Sequence, residues 1–120
     1  MLYTIIFING IYDIICGLSL IFTPNLLICK IHADIFKAEY NDNILWMRMM
    51  GYWIFTYGVI RASIMNNTPT IKTLVAASYF IEAYAFAFEN IYHKTTISYK
   101  VLWIFVSSSV IGLWLLLPYT

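Results

Sequence analysis

The side chains able to do chemistry in this chain are few, and most of them interrupt apolar stretches. Asp13 breaks LYTIIFINGIYDIICGLSLIF, Arg48 and Arg61 break ILWMRMMGYWIFTYGVIRASI, and Glu82 and Glu89 break the stretch from Ile71 to Asn90. An isolated carboxylate at bilayer depth costs about 2.5 kcal/mol or more, so each acid there must be protonated, paired or wetted by an internal cavity. The spacing leads us to expect a buried cluster in which Arg48 is held by Glu89 and reaches toward Asp13 or Glu82. Asn9, Ser78, Tyr57 and Tyr84 are the accompanying hydrogen-bond candidates. Arg61, within about one turn of the opposite face, is expected to snorkel toward water. Two carboxylates sharing one arginine leave one acid needing a proton. Such a cluster serves either as structural glue that fixes which helices meet, or as a proton or ion relay or a small polar substrate site.

Other constellations are weaker. Cys29-x-x-His32, with Asp34 near it and His93 on the same expected side, has the residue types of a metal site, but loop histidines and a lone cysteine read more simply as polar loop residues. Glu89 and His93 are four apart, whereas a di-iron bundle uses Glu-x-x-His on two helices. No G-x-S-x-G, Walker A loop or Rossmann fingerprint is present. We therefore assign no catalytic residue, no metal and no cofactor, and favour a non-enzymatic reading over an enzymatic one.

The elements that must position these residues follow from composition. With 62% hydrophobic and 11% charged residues, the chain has too little polar surface to cover a soluble globule. Four stretches approach the roughly 20 helical residues that cross a hydrocarbon layer: Leu2 to Phe22, Ile44 to Ile64, Ile71 to Asn90 and Val101 to Leu117. They lack the alternation of barrel strands, and lipid leaves their backbone groups no other partner, so they are helices. The fold class is all-α: an integral-membrane, antiparallel four-transmembrane-helix bundle, forming one domain over residues 1–120. No basic residue precedes the first apolar run, so the first helix is expected to stay in the mature protein. Net charge of +1 with no basic run excludes nucleic acid as a partner.

Asn9, Asp13 and Gly17 share one face of the first helix, and Gly10 and Gly17 are points of close backbone approach. Thr23-Pro24-Asn25 ends that helix. The segment after it, LLICKIHADIFKAEYNDN, carries one apolar stripe and is expected to be a short interfacial helix. In the second helix Arg48, Gly51, Phe55, Gly58 and Ala62 form one face, with Arg61 beside it. In the third, Ser78, Glu82, Ala85 and Glu89 do so, and in the fourth Ser107-Ser108-Ser109 and Gly112 form the packing surface. Lys30 and Lys37 in the first loop and Lys94 and Lys100 in the third outnumber Lys72 and Arg61 near the second. That bias puts loops one and three on the cytoplasmic or internal side and both termini opposite.

Gly17-Leu18-Ser19-Leu20-Ile21-Phe22-Thr23-Pro24, followed by Arg48-x-x-Gly51 and Gly58-x-x-Arg61, is similar to the small four-helix membrane proteins called DoxX-like, over about half the chain. The resemblance implies an accessory subunit of a membrane oxidoreductase assembly, and carries no catalytic role to any residue here.

The reading reached is a structural or accessory subunit of a larger membrane assembly, with the lipid bilayer and other membrane proteins or its own copies as partners. Heavy use of Ile, Asn, Tyr, Phe and Lys, whose codons are rich in A and T, points to a virion inner membrane or an organellar or respiratory complex. The alternative is a small oligomeric transporter or channel using Asp13, Glu82 and Arg48. A membrane-embedded lipid or quinone enzyme comes third.

Overall fold

The computed structural model describes residues 1–23, 32, 34–37 and 43–118. These form four helices: α1 (Leu2–Phe22), α2 (Ile44–Ala62), α3 (Pro69–Phe88) and α4 (Ser98–Leu115). A 3₁₀ turn, Ser63–Asn66, extends α2, and a π-helical turn, Glu89–His93, extends α3. Among the described residues the only extended pairing is an isolated antiparallel bridge between Phe36 and Thr96. The architecture is thus the all-helical one that the apolar stretches dictate. Most of the expected interfacial helix, and Cys29 with it, lies outside the described residues.

Local chemistry sets the helix ends. Asn43 caps α2 by accepting from the Trp46 amide at 3.0 Å. The Asn67 backbone turns in the left-handed region (φ 51°), Thr68 caps α3 through the Ile71 amide, and Pro69 takes the first turn, where its missing N–H costs nothing. Among the described residues, three segments are long and apolar enough to cross a membrane: Leu2–Phe22, Pro69–His93 and Ser98–Leu115. The 19-residue α2, with its two arginines, is the least apolar of the four.

The helices associate as two pairs. α1 packs antiparallel on α2 through two glycine contacts in register. A Cβ added at Gly10 would lie 2.9 Å from the Gly58 carbonyl oxygen, and one at Gly17 would lie 2.7 Å from that of Gly51. Each helix supplies its pair at a seven-residue spacing, so both contacts recur on one stripe and the backbones touch. α3 packs antiparallel on α4, where the Phe80 ring covers Gly112. Between the two pairs, long side chains fill the gap. One apolar cluster includes Cys16, Leu20, Phe36, Met50, Ile54 and Phe86, and a second, at the other end, includes Leu2, Ile6, Ile64, Val75, Tyr79 and Leu115. A polar layer lies between them.

Outward faces are apolar. Ile5, Ile8, Ile11, Ile15 and Leu18 on α1, and Leu102, Trp103, Val106, Val110 and Leu113 on α4, are all exposed, a patch far too large for water and natural for lipid.

Candidate functional site

The polar layer is built around Arg61, which is only 2% exposed. Its guanidinium places all five N–H groups. Nε donates to Ser78 Oγ at 3.1 Å, and Nη1 donates to Asp13 Oδ2 at 2.8 Å and to Asn9 Oδ1 at 3.4 Å. Nη2 donates to Glu82 Oε2 at 2.5 Å and to the Ser78 carbonyl oxygen at 3.5 Å. The Tyr79 and Tyr57 rings lie 3.8 and 4.6 Å from its central carbon, a cation–π arrangement that a desolvated guanidinium favours. The partners are themselves satisfied: Tyr79 Oη donates to Asn9 Oδ1 at 2.6 Å, and Ser78 Oγ donates to the Val75 carbonyl at 2.7 Å.

Each helix face explains its contribution. Asn9 and Asp13 are one turn apart on α1, and Ser78 and Glu82 one turn apart on α3, so each pair looks toward the same point. The cluster therefore ties the α1–α2 pair to α3 of the other pair. Asp13 lies about 16 Å from the start of α1 and about 13 Å from its end, close to the middle of the bundle.

Two expectations for the arginines are corrected. Arg48 is exposed and takes no part in the cluster, and Arg61 does not snorkel but is the buried centre. The buried stripe of α2 is Met47, Met50, Gly51, Ile54, Tyr57, Gly58 and Arg61, turned by one residue from the expected Arg48–Gly51–Phe55–Gly58–Ala62 face. Register supplies the rest of the reason. The Gly10–Gly58 contact brings the end of α2 about 12 Å inside the start of α1, and the 3₁₀ turn with fully buried Ile64 closes over it. Arg48, in the second turn of α2, stays where it can meet water or headgroups.

Glu89 is likewise outside the cluster. It sits at the end of α3, where its Oε2 accepts from Thr95 Oγ1 at 2.6 Å. Tyr84 is exposed, and His93 packs its ring edge on Phe88 at 5.2 Å.

One participant escaped the sequence reading. His32 Nε2 lies 3.7 Å from Asp13 Oδ1, with its ring 5.8 Å from that of Tyr12. Burial by itself disfavours the charged imidazole, but the Asp13 and Cys16 side chains outweigh it and push the His32 pKa from its ordinary 6.5 up to about 9. With Arg61 facing two carboxylates, an imidazolium at His32 brings the formal charge of the group to zero. Ile35 and Phe36 anchor the same segment in the apolar core, and it is tied down by Lys37 N–H to the Thr95 carbonyl at 2.9 Å and Ile97 N–H to the Ile35 carbonyl at 2.8 Å. The only local signal was the Ile35-Phe36 doublet, which reads equally well as part of an interfacial stripe.

Among the described residues no group of three or more His, Cys, Asp or Glu side chains is arranged to hold a metal ion. The cluster's chemistry is that of a closed ion-pair and hydrogen-bond network joining three helices.

No curated protein and no solved structure matches the chain. The sequence does match the family described as Erg28 like protein, over residues 4–114. This replaces the DoxX-like resemblance: the glycine, Thr-Pro and arginine pattern behind it covers half the chain and is loose enough to arise in unrelated four-helix membrane proteins, whereas the family match spans nearly all of it. With its apolar helices, the chain is a multi-pass membrane protein, and it belongs to the Erg28-like family.

Proposed function

We propose that this chain is a non-catalytic accessory subunit that holds other membrane proteins together in one bilayer. The observation that carries the reading is the family match over residues 4–114. The Erg28-like family is associated with sterol biosynthesis in the endoplasmic-reticulum membrane, in an accessory or scaffolding role, and we place this chain in the same setting. Residues 1–120 then act as one four-helix transmembrane domain, with loops 23–43 and 94–97 on the cytoplasmic side and both termini opposite.

The geometry agrees with a scaffold. Every N–H of the Arg61 guanidinium is already bonded, so the cluster functions as a lock between helix pairs rather than as an open relay. The exposed apolar faces of α1 and α4 are available to other membrane-embedded chains.

The test is the native mass of the protein extracted from its own membrane in mild detergent, with co-purifying proteins identified. A complex of fixed composition containing sterol-modifying enzymes is the expected result. A monomer or small homo-oligomer overturns the scaffold reading and turns attention to proton and ion flux in liposomes, with Asp13→Asn and Glu82→Gln as the variants.

A further inference from the structure

Away from the Arg61 cluster, α2 and α3 do not close on each other. A cavity of about 760 Å³ lies between them, within the roughly 300–1,000 Å³ typical of small-molecule sites. We propose that this cleft binds an uncharged amphiphile with an apolar body and a single hydroxyl head, the hydroxyl donating to the Glu89 carboxylate. The proposal stands apart from scaffolding and needs no partner protein.

The walls set the body. Trp46, Met49, Met50 and Trp53 follow i, i+3, i+4, i+7 spacing on one face of α2, and Tyr84 and Phe88 oppose them from α3. Aromatic and thioether walls are polarizable and adapt to irregular apolar shapes. From Asn43, at the mouth, to Trp53 is ten residues, about 15 Å of helix, which matches one leaflet of a hydrocarbon core about 30 Å thick.

The mouth sets the head. Glu89, Asn43 and Thr95 line it. Asn43 Oδ1 is committed to the Trp46 amide, and the Thr95 hydroxyl donates to Glu89 Oε2. Glu89 Oε1 has no hydrogen bond to any described residue. The open positions are therefore an acceptor at Glu89 Oε1 and, beside it in the lining, the Asn43 amide N–H groups, a combination that calls for a head able both to donate and to accept. A hydroxyl donates to the one and accepts from the other, whereas an ammonium only donates and a phosphate or carboxylate only accepts. Glu89 also opens the π-helical turn that ends in Lys94 at φ 54°, an irregularity that frequently accompanies functional positions.

The test uses the full chain in phosphatidylcholine vesicles with two photoreactive probes, diazirine-bearing cholesterol and diazirine-bearing hexadecanol, and locates labelled residues by mass spectrometry. At least one probe should label the Trp46–Trp53 and Tyr84–Phe88 segments saturably, and which one does so identifies a ring or a chain as the body. Unlabelled alcohol should displace it about tenfold or more better than its methyl ether, which keeps the body and loses the donor. Glu89→Leu should abolish that tenfold preference. Because the alcohol-to-ether comparison is made on the unaltered protein, it does not depend on the variant folding. Equal competition by the ether, or non-saturable labelling of both probes spread over lipid-facing Leu102 and Val106 of α4, overturns the proposal.

Discussion

A guanidinium withdrawn from water is stable only while its partners hold it, so the two arginines of α2 should respond very differently to removal. Arg61→Ala leaves Asp13 and Glu82 without their shared cation and is expected to cost about 3–5 kcal/mol, whereas Arg48→Ala, at an exposed position, should stay within about 0.5 kcal/mol. Thermal denaturation of both variants in detergent micelles checks this, and comparable losses at the two sites would remove the basis for calling Arg61 the centre. His32 adds a pH dependence. Its folded pKa, about 9, lies above its ordinary 6.5, so the stability it contributes is fully present below pH 6.5 and is lost as pH rises through about 9. The unaltered protein should lose melting temperature across that window, and His32→Gln should flatten that part of the profile.

Between helices, the register of α1 on α2 decides which side chains meet. A Cβ at Gly17 would lie 2.6 Å from the Phe55 amide nitrogen, and backbone cannot yield as a side chain can. Gly17→Val is therefore expected to force the helices apart at a cost of about 1–3 kcal/mol or more, and to disturb Arg61 through the shared register. At Gly112 the three atoms nearest an added Cβ all belong to the Phe80 ring, which can move, so Gly112→Ala should cost less. Melting temperatures of the two variants, read beside that of Arg61→Ala, separate a backbone clash from a side-chain adjustment. Equal effects would mean that the α1–α2 contact is softer than its geometry indicates.

Taken whole, the molecule is two helix pairs joined through a polar layer, with apolar clusters above and below it. That arrangement concentrates specificity in a few polar contacts, since apolar faces in lipid gain little by choosing one another. If loops one and three face the cytoplasm, Lys37 and Lys94 should react with a membrane-impermeant amine reagent only from that side and Lys72 only from the other. Labelling of Lys37 and Lys72 from the same side would overturn the proposed topology.

Helix number, helix ends and the presence of a polar layer were legible in the residues themselves. Apolar length, the turn signal at Asn67-Thr68-Pro69 and the cost of burying Asp13 and Glu82 are properties that each segment carries alone. Gly10 and Gly17 were legible as points of close approach for the same reason, while Gly51 and Gly58 were legible only as small residues on one face of α2. Which arginine the acids would take was not. Arg48 and Arg61 are the same residue type on one helix, and the choice rests on a rotation of one residue and on a register fixed by backbone contact with α1, neither of which a single helix contains. His32 stayed hidden on the same grounds: it meets Asp13 across 19 positions of sequence, through a fold of the chain that only tertiary packing specifies.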